Sequence, residues 1–134
     1  MKRLLQLVCL ILIMSMILAI PAYAAEQASH FFMSHSCYLW EVSDSEFKVC
    51  FDVTAVDAMD VLGASEIKVQ RSTDKSNWTT VATYYNFYGY DRSYYSDDIT
   101  YSSREDGYFY RAKVTFHAEN DFGTGEYVAY TSYI

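Results

Sequence analysis

Residues 108–118 alternate without a break. Tyr108, Tyr110, Ala112, Val114, Phe116 and Ala118 fall on one side of an extended backbone, and Phe109, Arg111, Lys113, Thr115 and His117 fall on the other. A period of two sends successive side chains to opposite faces of a pleated strand, whereas a helix would scatter this set around its axis. The same period returns at residues 47–54, with Phe47, Val49, Phe51 and Val53 opposite Lys48, Cys50, Asp52 and Thr54. Both runs read as half-buried antiparallel strands.

Shorter β-prone segments surround these two, at residues 37–42, 66–71, 78–84, 98–101 and 126–133. The turn-rich residues 72–77 join segments 66–71 and 78–84 into a hairpin. No stretch beyond residue 24 sustains a helical period. Residues 55–63 break the alternation and read as a turn whose Met59 and Leu62 plug one end of a core. About seven short strands in roughly 100 residues predict an all-β, antiparallel β-sandwich over residues 36–134, with a small barrel as the alternative.

The first 24 residues have another character. Lys2 and Arg3 precede an apolar run over residues 4–20 interrupted only by Gln6 and Ser15, and Pro21-Ala22-Tyr23-Ala24 follows. This is the order of a secretory signal peptide, with cleavage expected after Ala24. The run nears the ~20 residues that span a bilayer, but Pro21 and the Ala22/Ala24 pair favour cleavage over an uncleaved anchor. The expected organisation is a signal peptide over 1–24, a flexible mature N-terminus over 25–35, and the sandwich. The expected destination is extracellular, released or wall-associated. Cleavage removes Lys2 and Arg3 and leaves 8 basic against 17 acidic residues, a net charge of -9 over 110 residues. Such a surface repels nucleic acid and anionic membranes. Neutral glycans, basic protein surfaces and divalent cations are the partners left, and the charge also serves solubility.

Cleavage leaves two cysteines, Cys37 and Cys50, in a compartment that permits disulfides. A two-residue turn at Ser43-Asp44 would pair Val42 with Ser45, turn Trp40 and Tyr38 inward, and set Cys37 opposite Cys50. At a non-hydrogen-bonded site the Cα atoms approach to about 4.5 Å, so a disulfide worth ~2–3 kcal/mol is expected. The same register sets Glu41 against Glu46, which opposes it. There is no Cys-x-x-Cys spacing to suggest a redox pair.

Residues 84–98 are the least ordinary part of the chain: Tyr84, Tyr85, Asn86, Phe87, Tyr88, Gly89, Tyr90, Asp91, Arg92, Ser93, Tyr94, Tyr95, Ser96, Asp97 and Asp98. Tyrosine is a large, rather rigid contact residue with a polar tip, and loops of Tyr, Ser, Gly and Asn are what antibody paratopes use. Tyr85, Phe87, Tyr88, Tyr90, Tyr94 and Tyr95 are therefore the candidate binding residues, for sugar rings or a protein surface. The competing use of the same rings is to cover the core edges of a sandwich that needs aromatic bulk.

Other chemistry is weakly signalled. Asp57 with Asp60, and Asp91 with Asp97 and Asp98, could supply oxygens to Ca²⁺, but no Asp-x-Asx-x-Asx-Gly spacing supports a loop, so these read as solvated acids. His30, His35 and His117 lack zinc-ligand spacing, and no metal or other cofactor is expected. There is no Gly-x-Ser-x-Gly, His-Glu-x-x-His or phosphate loop. A sandwich of this size also leaves little room for a catalytic cleft, so an enzyme is not expected.

Two stretches resemble a known fold. The hairpin Ile67-x-Val69-x-x-Ser72-x-Asp74-x-x-x-Trp78-Thr79-x-Val81 resembles the third-strand hairpin of fibronectin type III and related immunoglobulin-like domains. Gly107-Tyr108-Phe109-Tyr110-Arg111-Ala112-x-Val114, running on to Ala118-x-Asn120-x-x-Gly123, resembles their penultimate strand and following turn. The chain beyond residue 24 also resembles small secreted proteins of clostridia-like Gram-positive bacteria that have no assigned function. That likeness rests on the signal peptide, Met59-Asp60-x-Leu62-Gly63-x-Ser65-x-Ile67, the 72–78 hairpin and Ile99-Thr100-Tyr101. The resemblance implies a secreted immunoglobulin-like sandwich and says little about activity. The tyrosine-rich insert and the cysteine pair depart from a plain fibronectin module, and no adhesive tripeptide is present. Ser72-Thr73-Asp74 before Trp78 also resembles a sialidase Asp-box, with Ser76 where that motif has Gly. A propeller needs several copies, so a hairpin turn is the better account.

The expected function is a non-enzymatic binding module that recognises extracellular glycan or protein through the tyrosine-rich segment. The alternatives are a bacteriocin-like or inhibitory effector and a structural subunit that assembles through sheet edges.

Overall fold

The computed structural model describes residues 30–134, so the signal peptide expected over residues 1–24 lies outside the described residues. The described residues fold into five antiparallel strands, β1 (Phe32–Ser43), β2 (Glu46–Ser72), β3 (Thr79–Tyr101), β4 (Phe109–Asn120) and β5 (Gly123–Tyr130). β2 and β3 run for 27 and 23 residues, several times the usual ~5–6, and each serves in two places. The start of β2 lies between β1 and the end of β3, while its end lies between the start of β3 and β4, with β5 outside β4. The sheet curls so that its two halves face each other. Phe47 and Tyr110 lie 5.5 Å apart between ring centroids, and Phe51 and Phe116 6.5 Å apart, although these residues share no backbone ladder.

The expected seven strands become five because two of the expected breaks are not breaks. A turn is expected over residues 55–63, yet β2 passes straight through them. Its inward residues are Phe47, Val49, Phe51, Val53, Ala55 and Met59, then Leu62 and Ala64, then Ile67 and Val69, so the phase slips twice along one strand. Val56, Asp57 and Ala58 are exposed at the bend, and the ladder shifts between Thr54 and Met59 and between Ala64 and Glu66. Met59 and Leu62 do fill the core as expected. Gly63 marks a close strand approach and not a turn: a Cβ there would lie 1.9 Å from the carbonyl oxygen of Phe87. The fourth and fifth expected strands likewise merge, because β3 carries the tyrosine-rich residues as strand. Left-handed residues at Asn86 (φ 65°) and Asp91 (φ 52°), types that tolerate that conformation, absorb its bends.

The expected disulfide is corrected by the register of β1 on β2. The turn is Asp44-Ser45, Ser43 faces Glu46, and a bulge at Val42 shifts the ladder so that Glu41 faces Phe47. Cys37 then lies opposite Phe51 and Cys50 opposite Tyr38, which puts the two thiols on opposite faces of the sheet, both free. A slip of one residue exchanges the faces of a strand. This slip turns Leu39 toward the core, takes Glu41 away from Glu46, and lets Glu41 accept a hydrogen bond from Arg104 Nη1 at 2.6 Å. Cys37 packs against the core, where burial and then the nearby Asp52 carboxylate push its thiol up to about 11.

Of the segment expected to be a flexible N-terminus, residues 32–35 form the start of β1. Phe31 is buried against Gly125, and the His35 ring stacks on Tyr127 at 4.1 Å. The long alternating run behaves as read: Tyr110, Ala112, Val114, Phe116 and Ala118 are wholly buried. Removing such side chains from water stabilises the fold by about 1.5–3 kcal/mol for each large one. The last residues add to β4, with Tyr110 and Ile134 exchanging backbone hydrogen bonds at 3.0 Å.

Candidate functional site

The hairpin that delivers the tyrosine-rich strand is tightly ordered. The Ser72 hydroxyl accepts from the backbone amides of Asp74 and Lys75, and Asp74 Oδ1 accepts from those of Ser76 and Asn77, each at 2.8 Å. The Asn77 side-chain amide donates to the other Asp74 oxygen at 2.7 Å. These donors, the Asn77 bonds first, hold the Asp74 carboxyl well below the usual carboxylate range. Asp74 is thereby occupied with the turn, as the hairpin reading of this motif requires.

Because β3 is paired to β2 along its length, its pleat decides which rings are available. Phe87 and Tyr95 turn inward. Phe87 sits edge-on to Phe51 with centroids 5.8 Å apart, and Tyr95 lies 6.3 Å from the same ring. The Tyr95 hydroxyl donates to Asp97 at 2.9 Å; burial first, then that carboxylate, pushes it up to about 12. Tyr85 and Tyr90 point outward and are 61% and 62% exposed. Tyr88 is half-buried, its ring 5.5 Å from that of His117. It reaches His117 across Gly63, which lies between them in the ladders and has no side chain of its own.

Tyr85, Tyr88 and Tyr90 thus share the outer face of the second layer, formed by the start of β3, the end of β2, β4 and β5. Tyr85, Glu66, Thr115 and Val128 follow one another across this layer and line a shallow depression of about 440 Å³ with Glu126. His117 lies 3.4 Å from Glu126 and 3.6 Å from Glu119. Farther along, the Arg111 guanidinium lies between Trp78 and Tyr130, 4.3 and 4.5 Å from their ring centres. The face is therefore a mixture of rings and both charges, suited to stacking and hydrogen bonding.

Tyr94 belongs elsewhere. It faces Thr54 on the outer side of the first layer, formed by β1, the start of β2 and the end of β3. The corrected register of β1 turns Tyr38 and Trp40 onto that same side, 50% and 61% exposed. Sequence reasoning missed these two because it placed them inside. The Glu41–Glu46 repulsion was the available signal, since the one-residue slip that removes it also turns the rings out.

At one end of the molecule the bend of β2 and the β4–β5 turn enclose a cleft of about 560 Å³, lined by Phe31, Met59, Asp57, Asp60, Asp121 and Phe122 among others. Asp57 and Asp60 are both here, whereas Asp91, Asp97 and Asp98 are distributed along β3, Asp98 paired with Lys48. Among the described residues no group of three or more His, Cys, Asp or Glu side chains is placed to hold a metal ion. His30 lines the end cleft, His35 stacks on Tyr127 and His117 lies on the second layer, so the three histidines serve separate surroundings. Compared with known proteins, the chain matches no family model, no curated protein and no solved structure.

Proposed function

We propose that this chain is a secreted, non-enzymatic recognition module with an immunoglobulin-like sandwich of fibronectin type III kind, and that it binds an extracellular protein or glycan through Tyr85, Tyr88 and Tyr90. Secretion rests on the signal-peptide pattern of residues 1–24.

The fold-family reading is supported by connectivity. Counting the two long strands as two segments each, segments one, two and five form one layer, and segments four, three, six and seven form the other. A constant-type immunoglobulin domain keeps its fourth strand with the first layer; here that segment pairs with the third, as in a fibronectin type III module. A second support is Tyr110, near the start of the penultimate strand, whose hydroxyl accepts from the backbone amide of Glu105 at 3.0 Å. An upstream backbone bond from a tyrosine at that corner recurs in immunoglobulin-like domains.

The observation that carries the binding reading is the outward placement of Tyr85, which lines the shallow Glu66–Glu126 depression, and of Tyr90 farther along the same face. Large rings with few rotatable bonds, set among both charges, match the contact chemistry of a paratope. Residues 25–134, which contain the whole described fold, should be applied to a glycan array and to Gram-positive cell walls before and after protease treatment. A Tyr85→Ala/Tyr90→Ala variant, shown to be folded by circular dichroism, is the comparison. Loss of retention in the variant alone supports the reading, and sensitivity to protease assigns the ligand to protein. Equal retention of the two proteins refutes a role for these tyrosines.

A further inference from the structure

We infer that the outer face of the first layer is a separate binding platform for an uncharged polysaccharide, with Trp40 and Tyr38 as its stacking rings and Tyr94 at its far side. It uses neither Tyr85 nor Tyr90 and stands whether or not the second layer binds anything.

The geometry follows from the ladders. Trp40, Lys48 and Thr100 lie in one row across the three strands; Tyr38, Cys50 and Asp98 in the next; Ser36, Asp52 and Ser96 in the third; Thr54 and Tyr94 in the fourth. Trp40 and Tyr38 are two residues apart on an extended strand, so their side chains leave the sheet about 7 Å apart, in line. Among the described residues β1 pairs only with β2, and no further strand walls the rings in. Leu39 between them packs against the core. The fold therefore uses the inward side of β1 and leaves its two largest outward rings standing in water.

The polar groups between the rings select the ligand class. Lys48 Nζ donates to both oxygens of Asp98 at 3.0 and 2.8 Å, and the Ser36 hydroxyl donates to Asp52. Lys48 is thus spent on Asp98, so among the described residues of this face no cation is left to hold a phosphate, sulfate or uronate, and Asp52 repels one. A protein surface docked flat here would have to desolvate the Lys48–Asp98 pair, which is costly unless a partner re-solvates it. Sugar hydroxyls can replace water on the Asp52 and Asp98 oxygens and on Ser96 and Thr100 one for one, while the apolar face of a pyranose ring lies on Trp40 or Tyr38. An extended, neutral, hydroxyl-rich chain satisfies both conditions at once.

The test uses residues 25–134 and four polymers: amorphous cellulose, chitin, an insoluble β-1,3-glucan and, as the charged control, polygalacturonate. Depletion isotherms and quenching of tryptophan emission are measured for the parent, Trp40→Ala, Tyr38→Ala, Trp40→Phe and the Tyr85→Ala/Tyr90→Ala variant. Circular dichroism and sedimentation establish fold and oligomeric state for each. The expected result is retention on at least one neutral polymer and not on polygalacturonate. Trp40→Ala and Tyr38→Ala should each weaken it by about tenfold or more, with partial recovery in Trp40→Phe and no change in the second-layer variant. Retention on none of the neutral polymers overturns the inference. So does retention that Trp40→Ala leaves intact, or retention lost only in the second-layer variant, which would move the glycan to the other face. A dimer that Trp40→Ala dissociates would reassign this face to a second copy of the chain.

Discussion

β4 and β3 are neighbours of the same central strand, yet they are held in place by different means. β4 presents Tyr110, Ala112, Val114, Phe116 and Ala118 to the interior in unbroken alternation, all of them wholly buried. β3 changes phase at Asn86 and Asp91, and of its side chains only Ile99 and Tyr101 are buried, the others that reach the core being half-buried. It is kept in position by close backbone contact at Gly63 and by the Ser72–Asn77 turn that launches it. Side chains carry the stability of β4, and backbone fit carries more of that of β3, which leaves its outward rings available for contacts with other molecules.

Truncating one ring on each strand should have very unequal effects. Phe116→Ala removes a buried ring that meets both His35 and Phe51, and should destabilise the protein by about 3–5 kcal/mol in urea unfolding. Tyr85→Ala removes an exposed ring and should change stability by no more than about 0.5 kcal/mol. Comparable losses at the two positions would show that the Tyr85 ring is part of the core after all.

Gly63→Ala adds one methyl group and removes nothing. That methyl would meet the Phe87 carbonyl oxygen at 1.9 Å, so β2 and β3 must separate or twist. A loss of about 1–3 kcal/mol is expected, with amide exchange accelerated around residues 87–89 before it is in β4. Uniform acceleration across the sheet would show that the two strands are not held independently.

The same contrast explains how much was legible beforehand. β4 and the start of β2 could be read because each keeps one phase, and the 66–84 hairpin because its turn residues are chemically distinct. The end plug of Met59 and Leu62 was legible as core but not as strand, since β2 shifts phase between them and again after Ala64. Which tyrosines face outward was not legible, because two left-handed residues reset the pleat of β3 and their positions depend on its pairing with β2. The register of β1 was missed by one residue. Ser43-Asp44 and Asp44-Ser45 are nearly equivalent as turns, and only the Glu41–Glu46 repulsion and the exclusion of Leu39 from water separate them. That single residue decided whether the cysteines met and whether Trp40 and Tyr38 were buried or displayed.

The smallest expected effect tests the turn that sets β3 in place. Asp74 accepts four hydrogen bonds within the loop, and its carboxyl is held below its ordinary value of 3.8. For a carboxylate depressed in the folded state, the stabilisation is complete above the unfolded value and is lost as pH falls through the folded one. The parent should therefore lose a small increment of thermal stability as pH falls below about 3.8. Asp74→Asn keeps one acceptor oxygen but no charge, so it should melt slightly below the parent at neutral pH, with the gap narrowing on acidification. Melting curves of the two proteins from neutral to strongly acid pH make the check. A gap that stays constant would mean that the carboxylate charge contributes nothing and that the Ser72 hydroxyl bonds alone hold the turn.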